Sequence, residues 1–203
     1  MEHLPNLDAY LQQSYYLDYD DPHIQELVQK LNRIAASETE RIRVAYEFVR
    51  DEISHSYDIR SEEVTRKASD VLLKKHGICY AKSHLLAAIL RGMGVPSGIC
   101  YQRLTLYDKP EDGYCIHALN TVYINDLTKW IRLDARGNKA GIDAQFSIEE
   151  EKLAFPIRHE YDEKDYNRNY AEPHPAIIRT LEGNDNCMQM YQRGLPKQLT
   201  EES

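Results

Sequence analysis

The sequence has little positive charge and no long apolar run. It holds 25 Lys and Arg against 33 Asp and Glu, which gives a formal charge of -8. An acidic chain lacks the basic footprint of a protein that binds nucleic acid or an anionic membrane, so we expect neither partner. The N-terminal stretch is acidic and interrupted by Pro5 and Pro22, which argues against a signal peptide or an anchor. These features predict a cytoplasmic protein.

Repeats, low-complexity tracts and Gly/Ser linkers are also absent, which predicts one domain over residues 1–203. Its core is expected at about 40–140, with 141–203 as a C-terminal extension packed on that core. Paired C-x-x-C spacings and a D-x-D-x-D-G loop are missing as well. We therefore expect no metal and no cofactor, although zinc held by Cys79, Cys115 and His117 is an alternative.

Four cysteines are present: Cys79, Cys100, Cys115 and Cys187. Their number allows two disulfides, but in a reducing cytosol they are expected to stay thiols, and one of them can then be reactive. Tyrosine is abundant, with 15 residues against three phenylalanines. Because a tyrosine ring carries a polar tip, some of these side chains are expected to line wet surfaces or grooves.

The first third of the chain shows helical periodicity. Apolar residues recur at steps of three and four along residues 24–31 and again along 42–49, after the capping box "SETE" at 37–40. A third helix is expected in "KASDVLLKKHG", capped by Ser69. A fourth runs from Ile78 to Leu90 and places Cys79 in its first turn.

The period then changes to two in three segments, "SGICYQRLTL", "YCIHALNTVYI" and "TKWIRLDA", which predicts consecutive antiparallel strands. A two-residue turn at Asn125-Asp126 would place His117 opposite Asp134. A four-residue loop would make Asp134 a diagonal neighbour on the same face. Two short helices are expected further on, in "YAEPHPAIIRTLEG" and "NDNCMQMYQRGLP".

The positions of three residues suggest nucleophilic chemistry. A thiol at a helix start meets unpaired N–H groups and the positive end of the helix dipole, which favour a thiolate at Cys79. His117 would act as the base, and Asp134 would orient its imidazole. Each residue alone also has a structural interpretation, as a buried thiol, a hydrogen-bonded strand histidine or a strand-end cap. His76 lies in the loop before the cysteine without an evident orienting carboxylate, and His84 points down the helix, so both are interpreted as structural.

The cysteine after "KKHG", the histidine in "GYCIHALN" and the aspartate in "KWIRLDARGNK" together resemble the transglutaminase-like superfamily of cysteine enzymes. The resemblance covers about residues 40 to 140. It implies an α+β, papain-like core in which a helical N-terminal part, with the nucleophile helix, packs on an antiparallel sheet. It further implies acyl transfer through a thioester on Cys79, with a protein or peptide substrate or a small amide or amine.

One expected feature of that family is missing. Many relatives place a Trp or Gln upstream of the cysteine to bind the oxyanion, whereas the only tryptophan here is Trp130. The Cys79 backbone N–H is the first expected donor, with Tyr57 or Gln102 as candidates for the second.

Two functions stay open at this point. The first is a cysteine acyltransferase or hydrolase, with peptidase or amidase activity included, and the intact Cys-His-Asp set favours it. The second is a catalytically idle interaction module that keeps the fold. The two differ in whether Cys79 reacts with iodoacetamide faster than the other three cysteines near neutral pH.

Overall fold

The computed structural model describes residues 6–200. Its N-terminal part contains four helices: α1 (Pro22–Ile34), α2 (Glu38–Glu52), α3 (Ala68–Lys74) and α4 (Cys79–Gly92). Ser37 caps α2 as predicted, because its side chain accepts a hydrogen bond from the Glu40 N–H. The predicted cap of α3 is wrong: Ser69 lies inside the helix, and its hydroxyl donates to Asp18 instead.

Two sheets accompany these helices. The short strands β1 (Ser54–His55) and β2 (His76–Gly77) pair in parallel just before α4. A four-stranded antiparallel sheet has the order β5-β4-β3-β6. Its strands are β3 (Ser97–Thr105), β4 (Tyr114–Ile124), β5 (Lys129–Leu133) and β6 (Lys164–Tyr170). The three predicted strands and their antiparallel order are confirmed.

Strand β6 was not predicted. It pairs with β3 at the edge of the sheet, and the register shifts between Ile99 and Tyr101. The sequence of β6, "KDYNRNY", carries three charged residues and no aliphatic side chain, so no apolar alternation marks it. Charged side chains are typical of an edge strand, where they discourage pairing with other chains.

The turn between β4 and β5 has four residues instead of the predicted two. Ile124 pairs with Lys129, residues Asn125–Leu127 form a single 3-10 turn, and Thr128 adopts a left-handed conformation. The Glu38 carboxylate accepts hydrogen bonds from the backbone and the side-chain amide of Asn125, which fixes this wider turn against the start of α2. A local sequence pattern does not contain that long-range contact.

The wider turn changes the register near the predicted site. Asn120 pairs with Leu133, the last residue of β5, and Asp134 follows directly after the strand. Asp134 is therefore the diagonal neighbour of His117, as the four-residue alternative predicts, and not its direct partner.

Helix α4 lies at the centre of the core. All its residues from Cys79 to Arg91 are buried. One apolar cluster joins α4 to the first three helices and to one end of the sheet. A second cluster joins the N-terminal end of α4 to two C-terminal helices, α5 (Pro175–Glu182) and α6 (Cys187–Arg193), which confirms both predicted helices. The Cys187 N–H donates to the Glu62 carbonyl at 2.7 Å and ties α6 to the loop before α3.

None of the helices formed by residues 6–200 is long and apolar enough to cross a membrane.

Candidate active site

Cys79 is the first residue of α4. The preceding N-cap residue is Ile78, whose apolar side chain makes no capping hydrogen bond. The backbone N–H groups of the first turn therefore keep their donor capacity for a group outside the helix. Since β2 ends at Gly77, its pairing with β1 holds the backbone just before Cys79.

His117 and Asp134 form a direct hydrogen bond. The His117 Nε2–H donates to Asp134 Oδ2 at 2.8 Å, which confirms the predicted contact. The same oxygen accepts the Ala154 N–H at 3.1 Å, and Oδ1 accepts the Arg136 N–H at 3.1 Å. Only 1% of Asp134 is exposed, so these donors replace the water that a carboxylate otherwise binds.

The other ring nitrogen of His117, Nδ1, is not bonded to Asp134, and His117 and Cys79 line the same cavity. Burial lowers the pKa of His117, but the negative charges of Asp134 and Cys79 outweigh it and raise the pKa to about 10. Burial raises the pKa of Asp134. The charge of His117 and three hydrogen bonds lower it by more, so the net shift of the pKa is downward. The arrangement favours the imidazolium form of His117.

A cavity of about 440 Å³ opens over these side chains. Cys79 and His117 lie on its wall together with four tyrosines, Tyr57, Tyr80, Tyr107 and Tyr191. Apolar side chains such as Leu104 and Phe155 complete much of the lining. The Phe155 ring meets the His117 ring edge to face, with centroids 5.1 Å apart, and so covers the imidazole.

The two candidate oxyanion residues are separated in the structure. Tyr57 lines the cavity, but its hydroxyl lies 3.5 Å from that of Tyr107 at the exposed mouth. Gln102 lines a different pocket of about 330 Å³, where its side-chain amide donates to Asp165 at 3.0 Å. Gln102 therefore does not face Cys79.

His76 and His84 are hydrogen-bonded elsewhere in the core. His76 Nδ1 lies 2.9 Å from the Ser56 hydroxyl, and the His84 Nδ1–H donates to the Arg66 carbonyl at 2.8 Å. Neither ring lines the cavity of Cys79.

Arg136, His55 and Tyr191 are among the cavity residues that were not singled out from the sequence. Arg136 makes a two-pronged ion pair with Asp58, at 2.6 and 3.0 Å. His55 is 5% exposed, and its Nε2 lies 3.3 Å from the Tyr191 hydroxyl. Arg136 follows Asp134 by two residues, which was an available signal. His55 and Tyr191 lie in distant segments, and no local pattern connects them.

The four cysteines are free thiols. Among the described residues, no group of three or more His, Cys, Asp or Glu side chains is arranged to hold a metal ion.

Comparison with known proteins gives a family and a fold. The model of the transglutaminase-like superfamily matches residues 25–135. A proposed cysteine protease from Cytophaga hutchinsonii has a similar structure, with a TM-score of 0.51 and 20% sequence identity. That match covers 65% of this chain and 42% of the other chain. The periplasmic domain of TgpA from Pseudomonas aeruginosa gives a TM-score of 0.47 and 16% identity, over 62% of this chain and 45% of that domain.

This chain thus spans less than half the length of these two structures. No curated protein matches it significantly.

Proposed function

Because this chain belongs to the transglutaminase-like superfamily, we propose that it is a cysteine-dependent acyl-transfer enzyme that acts on amide bonds. One observation carries the proposal: the His117 imidazole is hydrogen-bonded to the buried Asp134 carboxylate and lines the same cavity as Cys79, the first residue of α4. A buried histidine with a raised pKa between a thiol and a carboxylate is typical of a catalytic site.

In the first half of the reaction, Cys79 Sγ attacks the carbonyl carbon of an amide. The C–N bond breaks, the His117 imidazolium gives its proton to the leaving nitrogen, and ammonia or an amine departs. The product is a thioester on Cys79. Asp134 holds the Nε2 side of the ring throughout, so that Nδ1 stays directed at the sulfur and the leaving group.

In the second half, water or an amine attacks the thioester carbonyl. His117 removes the proton of this nucleophile, and the C–S bond breaks to restore Cys79. Water gives hydrolysis, and an amine gives transamidation. The same side chains serve both outcomes, since the acceptor is selected by the cavity and not by the three catalytic groups.

The cavity supports a protein or peptide substrate, such as a glutamine side chain, or a small amide. A volume of about 440 Å³ is enough for a side chain with its flanking backbone, and the tyrosines offer apolar faces with polar tips. No nucleic acid or membrane partner is proposed. The cytoplasmic location and the single-domain organisation stay predictions.

The function is tested with peptide amides and glutamine peptides, in the presence and absence of hydroxylamine as an acceptor amine. Mass spectrometry of the trapped intermediate should find the acyl group on Cys79. Ammonia release without hydroxamate identifies a hydrolase, and hydroxamate formation identifies a transferase. If Cys79 reacts with iodoacetamide no faster than Cys100, Cys115 and Cys187, the enzyme proposal is wrong and the idle interaction module is favoured.

A further inference from the structure

The acyl-transfer mechanism requires two donors for the oxyanion that forms on the substrate carbonyl. The first is the Cys79 N–H, which has no partner within its own helix because Cys79 is the first helical residue. Gln102 lines a different pocket, and the Tyr57 hydroxyl meets that of Tyr107 at the exposed mouth of the cavity. A further polar group of the same cavity is therefore needed.

The hydroxyl of Tyr191 meets this requirement. Tyr191 is supplied by α6 and lines the cavity together with Cys79. Burial, followed by the negative charge of Cys79, raises the pKa of Tyr191 well above its usual range, so the hydroxyl keeps its proton. Its ring stacks on Tyr57, with centroids 4.4 Å apart, which limits its movement.

His55 is placed to direct that proton. Burial, followed by the charge of Arg136, lowers the pKa of His55 well below its usual range, so the ring is neutral and carries one N–H. Its Nδ1 is buried without a hydrogen-bond partner among the described residues, whereas Nε2 lies 3.3 Å from the Tyr191 oxygen. Orphaned buried N–H groups are rarer than under-satisfied acceptors, which favours the proton on Nε2.

With that tautomer, the His55 Nε2–H donates to the Tyr191 oxygen, and the Tyr191 proton is released for another acceptor. A hydroxyl that accepts a hydrogen bond is also a stronger donor. The pairing of His55 with Gly77 places this histidine beside the residue two positions before Cys79. His55, which contacts the Tyr191 hydroxyl, is thus held next to the start of α4.

We propose that Tyr191 is the second oxyanion donor of the Cys79 site and that His55 is its positioning residue. This inference rests on the proposed acyl-transfer function. It assigns a catalytic group to a helix outside the residues 25–135 that the family model matches.

The test compares two reagents on the same thiol. Acylation of Cys79 by p-nitrophenyl acetate forms a tetrahedral oxyanion, breaks the ester C–O bond and releases p-nitrophenolate. Alkylation by iodoacetamide displaces iodide and forms no oxyanion. Tyr191→Phe should slow acylation by about 100-fold and change alkylation by less than twofold, because loss of one oxyanion donor costs about 10²- to 10³-fold.

Tyr10→Phe is the matched control, because it also removes a hydrogen-bonded tyrosine hydroxyl, one that donates to the Asn169 carbonyl outside the cavity. It should leave both rates unchanged. His55→Phe should slow acylation less than Tyr191→Phe does, and it should add nothing in the Tyr191→Phe background.

If the wild-type thiol is reactive but Tyr191→Phe slows acylation and alkylation equally, or slows neither, the donor role of Tyr191 is wrong. A Cys79 that is unreactive toward both reagents in the wild type removes the proposed function, and this inference with it. The two failures are therefore distinguishable.

Discussion

Replacing Asp134 by asparagine tests whether the carboxylate keeps His117 charged beside Cys79. The pKa of His117 rises from its ordinary 6.5 to about 10, and Asp134 is the larger of the two sources that raise it. Asp134→Asn removes that charge, and each unit by which the pKa of His117 then falls is about 1.4 kcal/mol, or a tenfold change in the equilibrium that gives the imidazolium. Cys79 should then react with iodoacetamide at least about tenfold more slowly at pH 7.

The same substitution has a structural cost. One carboxylate oxygen accepts the Ala154 N–H and the other accepts the Arg136 N–H, so the asparagine NH₂ group meets a backbone donor in either orientation. One buried N–H stays unpaired, which should lower the free energy of unfolding by about 1–3 kcal/mol. With NH₂ toward His117, the ring takes the wrong tautomer, and turnover should fall by up to about 10⁴-fold, by analogy with serine triads.

The assay is alkylation followed by mass spectrometry of the labelled cysteine, with circular dichroism as the check on folding. Asp165→Asn is the matched control, since Asp165 is bonded to Gln102 and Arg132 and does not contact His117. It should leave the alkylation rate within about threefold of the wild type. A folded Asp134→Asn protein whose Cys79 reacts as fast as the wild type would refute the role assigned to the carboxylate.

Four further predictions follow from the structure. Cys79→Ala should abolish turnover and leave the fold intact, because it removes one small group near a helix start; residual turnover in an assay of the purified variant would contradict the nucleophile role. Activity should survive EDTA and fall as pH rises through the raised pKa of His117 near 10; restoration of chelated enzyme by zinc or calcium would show a metal requirement. Gly98→Ala should lower stability to denaturant by about 1–3 kcal/mol, because an added Cβ would lie 2.0 Å from Asn169 Oδ1; an unchanged midpoint argues against this packing. Burial lowers the pKa of Lys82 from 10.5 to about 7, so this lysine makes the free energy of unfolding rise between about pH 7 and 10. Lys82→Met should remove that rise, which denaturant titrations at several pH values would measure.

The opposite sign holds for His117. Its raised pKa contributes stability that is complete below about pH 6.5 and is lost as pH rises through about 10. In the wild type the two slopes oppose each other over the same pH range. Lys82→Met should therefore expose a fall in stability with pH that the intact protein conceals.

The parts of the fold that were predictable are those governed by local periodicity. Helices α1 and α2 each bury one apolar stripe, while α4 and the strands β3 and β4 are buried over nearly their whole length. Cys79 begins α4, His117 lies on β4, and Asp134 directly follows β5. The width of the β4–β5 turn was not predictable, because it depends on Glu38, which lies far away in the sequence. Strand β6 forms from a polar segment whose pairing depends on the neighbouring edge of β3.

The cavity was less predictable than the three reactive side chains. The contact between His55 and Tyr191 joins segments separated by 136 positions, and neither residue stands in a recognisable motif. The excess of tyrosine was visible in the composition. The structure explains part of it, because four of the rings line the cavity of Cys79, and one of these is brought there by the packing of α6 against the start of α4.

The docking of α6 also has a consequence for the order of events during synthesis. Cys79 and His117 emerge from the ribosome well before Tyr191, which lines one wall of their cavity. A nascent chain can thus fold its helix and sheet layers while the cavity is still open on one side. If Tyr191 is the oxyanion donor that we propose, acyl transfer at full rate must wait until α6 has been translated and docked.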